Sequence, residues 1–218
     1  PQQAELLVAH ALFVLDANER VNLTAIREPA EAIRLHIVDS LLALPEVVAA
    51  PSGSLIDMGT GAGYPGVPLA ICSGRAATLL DSVGKKVKVL DEFVQQQLLS
   101  SQLKPVHLRA EEYATNHRGE YAVVVARAVS ELPALIELAR PFLKKGGVFV
   151  ALKARPDDIE RERGDRVAAQ VGMERIGART TSVPGGDDRR EILTFRVSGG
   201  SSVALPRRVG LAQSKPLA

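Results

Sequence analysis

Short apolar runs alternate with longer amphipathic stretches through the middle of the chain. The runs are bounded by turn residues and predict β-strands, which lie at 54–58, 77–81, 105–108, 121–126 and 147–153. Apolar residues near a 3.6-residue period predict the helices between them, at about 65–73, 84–101, 131–143 and 157–170. Strands that are apolar throughout and alternate with helices are typical of a parallel sheet covered on both faces.

The two ends of the chain show different patterns. Residues 2–17 predict a helix, and Pro29 suits the first turn of a second helix that runs to about residue 43. Two strand-like runs after residue 173, at 173–180 and 190–197, flank a Pro-Gly-Gly turn and predict a hairpin at one sheet edge.

These patterns together predict an α/β fold, doubly wound and mostly parallel, with an antiparallel edge hairpin. Its parts are an N-terminal helical extension over 1–50, a main domain over 51–198 and a basic C-terminal tail over 199–218. The tail is rich in small and polar residues, so we expect it to be partly mobile.

Composition excludes several classes of protein. The chain has 218 residues, 46% of them apolar and 24% charged, which is the balance of a globular protein. Cys72 is the single cysteine, which excludes an internal disulfide framework and a four-cysteine zinc site. Aromatic residues make up 4%, so we do not expect a surface that stacks bases on rows of rings. The chain has no apolar run of the roughly 18–20 residues that span a bilayer and no secretory signal, so we expect a cytoplasmic protein without membrane contact. We also expect a monomer that binds no metal.

Charge is distributed unevenly along the chain. The net charge is +2 overall, whereas the segment from Arg189 to the C-terminus holds six basic residues against one acidic residue. A basic end on a mildly acidic body favours a polyanionic partner, and a solvated terminus is the alternative interpretation.

A glycine-rich loop follows the first predicted strand. It reads DMGTGAGYPG from Asp57, and its glycines at 59, 61 and 63 permit positive φ and bring main chain close to a ligand. The spacing is G-x-G-x-G, whereas the dinucleotide fingerprint is G-x-G-x-x-G, so the loop favours an adenosyl ligand without a diphosphate. Asp81 ends the next strand and is placed to accept hydrogen bonds from ribose hydroxyls. Asp57 is placed to accept from main-chain amides or from a ligand ammonium.

Several sequence blocks together point to a family. In chain order they are NLTAI (22–26), LHIVDSLL (35–42), LIDMGTGAGYPGVPLAI, LLDSVGKKVKVL, LRAEEY, VVVARAVSELPAL, LKKGGVFVALK and LPRRVGLAQSKPL. Their order and spacing resemble those of the bacterial guanine-N7 methyltransferases of small-subunit ribosomal RNA, the glucose-inhibited division protein B family. The resemblance implies a Rossmann-like class I methyltransferase fold that uses S-adenosylmethionine, with 16S rRNA or the small ribosomal subunit as partner.

The resemblance also assigns site residues. The implied cofactor contacts are Gly59, Tyr64, Asp81, Ser82, Val83, Ala110, Glu111 and Arg127, and the loop pattern itself adds Asp57, Gly61 and Gly63 to the predicted cofactor residues. Asp81 would hold the ribose, and Ala110 and Glu111 would lie beside the adenine. Arg127 would anchor the methionine carboxylate or an RNA phosphate. The resemblance places His36, Asp39 and Ser40 near the rim of the active site.

The implied reaction makes few demands on side chains. Guanine N7 carries a lone pair and no proton at neutral pH, so its methylation needs no general base. We therefore expect catalysis by proximity and alignment, with no nucleophilic side chain, no metal and Arg127 as the one contributing residue.

Basic residues predict where RNA binds. The candidates are Lys85, Lys86, Lys88, Lys153, Arg155, Arg190, Arg207, Arg208 and Lys215. The first three begin a predicted helix, where positive charge opposes the helix dipole, so phosphate contacts explain them better than helix stability does.

Three other functions share parts of this pattern. A small-molecule methyltransferase on the same scaffold would not need the basic tail. A nicotinamide-dependent oxidoreductase is disfavoured by the glycine spacing. An RNA-binding module without catalysis would bind RNA whether or not S-adenosylmethionine is present.

Overall fold

The computed structural model describes residues 2–127 and 130–217. Seven strands form one sheet: β1 Leu55–Met58, β2 Ala77–Asp81, β3 Leu103–His107, β4 Tyr121–Arg127, β5 Leu143–Lys153, β6 Met173–Ser182 and β7 Arg189–Val197. The longer helices are α1 Gln2–Asn18, α5 Gly66–Ser73, α6 Gly84–Gln96, α7 Ala110–Asn116, α8 Leu132–Ala139 and α9 Asp158–Gln170. Shorter helices are α2 Pro29–Ala32, α3 Asp39–Leu41, α4 Leu44–Ala49 and α10 Leu211–Ser214.

The strand order is β3-β2-β1-β4-β5-β7-β6, which confirms the predicted fold class. Strands β1 to β5 pair in parallel, whereas β7 runs antiparallel to both β5 and β6 and forms the edge hairpin. The order reverses direction between β1 and β4. In open sheets of this kind, ligands bind beyond the carboxyl ends of the strands at such a reversal.

Alternate residues of the central strands face two apolar cores. In β1, Leu55 packs in one core with α1, α5 and α6, and Ile56 packs in the other with α8 and α9. Both residues are fully buried because helices cover both faces of the sheet, as the continuous apolar runs predicted.

Several element boundaries differ from the sequence prediction, and helix α7 is not among the predicted helices. Three of the differences concern β5, α6 and the predicted second helix. Strand β5 begins at Leu143 rather than residue 147, because Leu143 pairs with Tyr121 despite the glycines that follow it. Helix α6 ends at Gln96 rather than residue 101, where Leu98 takes a φ of 55° that a helix cannot continue. The predicted second helix ends at Leu41 and contains a π-helical stretch, Ile33–Val38, a feature that recurs at functional sites.

The C-terminal segment packs against the body, contrary to the expected mobility. Leu205 and Ala212 are buried in the core beside α8 and α9. The Arg207 guanidinium donates twice to the Glu137 carboxylate, at 2.6 Å each, and the Glu137 side chain is 2% exposed. Local composition gave no sign of this long-range pairing.

No helix within the described ranges combines the length and the apolar composition that crossing a bilayer requires.

Candidate active site

A cleft of about 250 Å³ lies at the carboxyl ends of β1 to β4. Its lining includes six of the predicted cofactor residues: Gly59, Asp81, Ser82, Ala110, Glu111 and Arg127. The remaining lining residues are Met58, Leu80, Lys86, Leu108, Arg109, Leu135, Leu138 and Gln213. The cleft therefore occupies the position that the strand reversal indicates for a ligand.

The glycine-rich loop is held by main-chain hydrogen bonds to β2. The amides of Gly59 and Thr60 both donate to the Leu80 carbonyl, at 2.8 and 3.0 Å. Gly61 has a φ of 59°, and a Cβ built on it would meet no atom within 4 Å. The loop thus presents bare main chain to open space at Gly61, as a closely approaching ligand requires.

Gly63 has a different task from Gly61. Its φ is 97°, and a Cβ there would lie 2.9 Å from the ring of His10 and from Leu90. His10 is fully buried on α1, and its Nε2 bonds the Ala62 carbonyl at 2.9 Å. Sequence analysis assigned Gly63 to the cofactor and missed His10, which lies in an apolar helix pattern and looks like a core position.

Asp81 joins the ends of the first two strands. Its Oδ2 accepts from the Gly61 amide and its Oδ1 from the Val83 amide, both at 2.8 Å. A carboxylate oxygen has a second lone pair, so each oxygen still has capacity to accept a ligand hydroxyl. Val83 meets Asp81 through its main chain and is not among the residues lining the cleft.

Asp57 serves the loop rather than the cleft surface. It is fully buried, and its Oδ2 accepts from the Gly66 amide at 2.7 Å, where α5 begins. Burial raises the pKa of this carboxyl to about 7. The sequence predicts that Asp57 accepts from a main-chain amide or from a ligand ammonium. The structure shows the bond to the amide, and Asp57 is absent from the cleft lining.

Tyr64 lies in a cluster of rings outside the cleft lining. Its ring stacks on His36 at 4.5 Å between centroids and contacts His10 at 4.7 Å. The guanidinium carbon of Arg127 lies 5.6 Å from the ring centroid. Burial lowers the pKa of His10 to about 3, and burial with the nearby Arg127 lowers that of His36 to about 4, so both imidazoles are neutral at pH 7.

Arg127 ends β4 and borders two cavities. Its Nη1 donates to Asp39 Oδ2 at 2.9 Å and to the Leu35 carbonyl at 3.2 Å. Beyond it lies a second cavity of about 530 Å³, lined by Ile26, Leu35, His36, Asp39, Arg127, Leu152, Lys153, Ala154, Arg155, Glu160, Asp188 and Arg190. The structure thus brings two predicted rim residues, His36 and Asp39, into contact with this second cavity. Ser40 is buried and donates to the His36 carbonyl instead.

The predicted RNA-binding residues fall into two groups. Three are held in ion pairs: Arg190 with Asp39 at 2.8 Å, Lys153 with Glu160 at 2.7 Å, and Arg207 with Glu137. Six lie at or near the surface: Lys85, Lys86, Lys88, Arg155, Arg208 and Lys215. Lys86 is half-buried and lines the first cleft. The first turns of α6, which carry all three lysines, therefore lie beside the candidate cofactor site.

Several solved structures share the fold of this chain. One is geranyl diphosphate C-methyltransferase from Streptomyces coelicolor, with a TM-score of 0.62 and 13% identity over 77% of this chain and 81% of that one. Another is TYW2 of Pyrococcus horikoshii, with a TM-score of 0.59 and 15% identity over 75% of this chain and 62% of that one. At these identities the likeness shows the class I methyltransferase fold alone.

Sequence relatives are much closer. Ribosomal RNA small subunit methyltransferase G of Deinococcus radiodurans is 38% identical over 96% of this chain and 84% of its own length. The protein of the same name from Alkaliphilus metalliredigens is 34% identical over 99% of this chain and 91% of its own. The model of the rRNA small subunit methyltransferase G family matches residues 3–188. The chain therefore belongs to this family, which confirms the resemblance and, with it, the predicted rRNA methyltransferase activity and S-adenosylmethionine as methyl donor.

Proposed function

We propose that the chain methylates N7 of a guanine in 16S rRNA, holding S-adenosylmethionine in the first cleft and the guanine in the second cavity. The observation that carries this proposal is the position of Arg127, whose side chain lines both spaces. A methyl donor and its acceptor must meet, and the two cavities meet at this residue. The ribosomal substrate would place the reaction in the cytoplasm, with the chain acting as a monomer.

The first cleft suits an adenosyl ligand. The glycine-rich loop lines the cleft at Gly59, and farther along the loop Gly61 has open space where any side chain would extend. Asp81 offers carboxylate oxygens for ribose hydroxyls, and Ala110 and Glu111 lie on the far side of the cleft, where we place the adenine. When bound, S-adenosylmethionine supplies a methyl group on a positively charged sulfur.

Arg127 has donors left for a ligand. Its Nη1 makes the bonds to Asp39 and the Leu35 carbonyl, while its Nε and Nη2 donate to no residue in the described ranges. A guanidinium carries five N–H donors, and a carboxylate or phosphate accepts two of them in parallel. Arg127 is thereby suited to hold the methionine carboxylate or an RNA phosphate at the junction of the cavities.

Charges around the second cavity are nearly balanced, with four basic and three acidic side chains in its lining. The guanine ring becomes positive as N7 gains the methyl group, and unpaired arginines nearby would oppose that change. Asp39 is buried and accepts from both Arg127 and Arg190, and Glu160 pairs with Lys153. These carboxylates offset the positive charge of the cavity.

Alignment is the main contribution that we assign to the protein. N7 has a lone pair and no proton to lose, so no residue has to act as a general base. Holding donor and acceptor in reactive contact contributes about 7–11 kcal/mol in comparable cases. The exposed lysines of α6 hold the RNA backbone without reading its sequence.

Radiolabel transfer tests the proposal. Unmethylated 16S rRNA and small subunits that lack the mark are incubated with methyl-labelled S-adenosylmethionine, and the product nucleoside is compared with 7-methylguanosine. We expect label in 7-methylguanosine on at least one of the two substrates. Label on another atom refutes the N7 assignment. No label on either substrate, from protein that binds S-adenosylhomocysteine in calorimetry, refutes 16S rRNA as substrate.

A further inference from the structure

The C-terminal segment, Leu205–Leu217, is anchored beside the cofactor cleft by two glutamates. Glu137 of α8 receives both bonds from Arg207, and the amide of Leu217 points to the same carboxylate at 3.3 Å. Arg207 Nη2 also donates to the Lys215 carbonyl at 2.8 Å, which closes the segment on itself. The pair fixes the path of the chain, since the buried Glu137 carboxylate would be an unpaired buried charge without the partly exposed Arg207.

Glu111 forms the second anchor, at the cleft itself. Its Oε1 accepts from the Gly210 amide at 2.7 Å, and its side chain lines the cleft. Gly210 has a φ of 77°, a turn that favours glycine and directs the chain into α10. The same carboxylate thus borders the cofactor space and holds the C-terminal segment.

Within the part of the C-terminal segment that the structure describes, Gln213 on α10 is the residue that lines the cleft. It joins the lining together with the apolar side chains of Leu108, Leu135 and Leu138. A carboxamide both donates and accepts, which matches the adjacent amino group and ring nitrogen of adenine, the pairing by which Gln reads that base in nucleic acids. Apolar side chains suit the faces of the ring.

We propose that the C-terminal segment forms one side of the cofactor site and that Gln213 hydrogen-bonds the adenine of S-adenosylmethionine. The inference rests on the proposed location of the cofactor in the first cleft. It gives Arg207 a role in shaping that cleft, where charge alone had suggested RNA. The segment is basic, but Arg207 serves an internal carboxylate.

Calorimetry with S-adenosylhomocysteine tests the contact independently of activity. We expect Gln213→Ala to weaken binding by roughly threefold to tenfold, the loss of one or two neutral hydrogen bonds. Gln96→Ala is the matched control, because Gln96 is an exposed glutamine at the end of α6 and outside the cleft lining, and the binding of this variant should equal that of the wild type. Wild-type affinity in Gln213→Ala refutes the contact.

A cofactor analogue that lacks the 6-amino group identifies the partner of Gln213. Wild-type protein should bind this purine analogue of S-adenosylhomocysteine several-fold more weakly than the parent compound. Gln213→Ala should bind both compounds equally. If the variant still discriminates against the analogue as strongly as the wild type, the amino group is read elsewhere and the inference is wrong.

Two further variants separate this inference from the proposed function. Glu111→Gln keeps an acceptor for the Gly210 amide and should bind S-adenosylhomocysteine better than Glu111→Ala, which releases the segment. Equal binding by these two variants counts against the anchor. If Asp81→Ala leaves affinity unchanged, the cleft itself is misassigned and both proposals fail. If Asp81→Ala weakens binding of S-adenosylhomocysteine and Gln213→Ala does not, only the proposed contact of Gln213 is refuted.

Discussion

Replacing the loop glycines one at a time separates packing from ligand binding. Gly61→Ala and Gly63→Ala each force an alanine into positive φ, at 59° and 97°. The new methyl group enters open space at Gly61, whereas at Gly63 it meets the His10 ring and Leu90 at 2.9 Å. The two variants should therefore fail in different ways.

The expected losses of stability follow from these contacts. Backbone strain at positive φ costs about 1–2 kcal/mol for an L-residue, which is the whole cost at Gly61. At Gly63, overpacking adds about 1–3 kcal/mol. His10 is fully buried, and its ring cannot move away without losing the bond to the Ala62 carbonyl. We expect Gly63→Ala to lose about 2–5 kcal/mol in total.

Urea unfolding and calorimetry with S-adenosylhomocysteine measure the two effects. Gly74→Ala is the matched control, since Gly74 has a φ of 71°, no atom within 4 Å of the new Cβ and a position at the end of α5, whereas the Gly61 amide bonds Asp81 of the cleft lining. Gly74→Ala should lose about 1–2 kcal/mol and bind normally. Gly61→Ala should be as stable as the control but bind weakly.

Two results would refute this reasoning. Equal stability of Gly63→Ala and Gly74→Ala would show that His10 and Leu90 give way, so the packing argument fails. Wild-type affinity in Gly61→Ala, and likewise in the bulkier Gly61→Val, would show that the loop main chain is not in contact with the cofactor.

Three more predictions test other parts of the structure. Replacing Lys85, Lys86 and Lys88 by alanine should weaken rRNA binding and flatten its salt dependence by about 0.7–0.9 in log–log slope per lost phosphate contact; an unchanged slope in a filter-binding titration removes them from the RNA surface. Glu137→Ala should cost about 1–3 kcal/mol in urea unfolding because it leaves the partly exposed Arg207 and the amide of Leu217 without their acceptor, and a loss well below about 1 kcal/mol would mean that these bonds do not form in solution. The raised pKa of Asp57 favours the folded state at low pH, so the stability of the wild type relative to Asp57→Asn should fall by about 1.4 kcal/mol per pH unit between about pH 4 and 7. Urea unfolding at several pH values measures this difference in the free energy of unfolding. A difference that stays constant from about pH 4 to 7 would show that the pKa of Asp57 is not raised.

Local sequence signals were sufficient for most strands of the sheet and for one side of the cleft. Most strands of the parallel sheet are continuous apolar runs that the sequence shows directly, whereas β3 is partly exposed and the strand order is known from the structure alone. The loop from Gly59 and the acid at Asp81 come directly after strands, so their meeting at one sheet edge is a consequence of parallel pairing.

Local sequence patterns did not predict the contacts between residues that are far apart along the chain. Asp39 and Arg190 are 151 positions apart, and Glu137 and Arg207 are 70 apart. A basic residue in such a pair has the same sequence appearance as one on an open surface, so Arg190 and Arg207 were assigned to RNA on charge alone. His10 was missed for the same reason, because nothing in α1 shows that its ring lies under the loop.

Because Arg127 lies between two cavities, a ligand in one cavity can change how strongly the other cavity binds its own ligand. A ligand that draws its guanidinium toward the first space reshapes the boundary of the second, because Arg127 lines both. Thermodynamic reciprocity then requires that whatever factor cofactor binding imposes on RNA affinity, RNA imposes on cofactor affinity. On the occupancy that we propose, methyl transfer moves the positive charge from the cofactor to the guanine, so Arg127 would interact with the substrates and with the products at different strengths. Arg127 would thereby allow the enzyme to distinguish substrates awaiting reaction from products ready to leave.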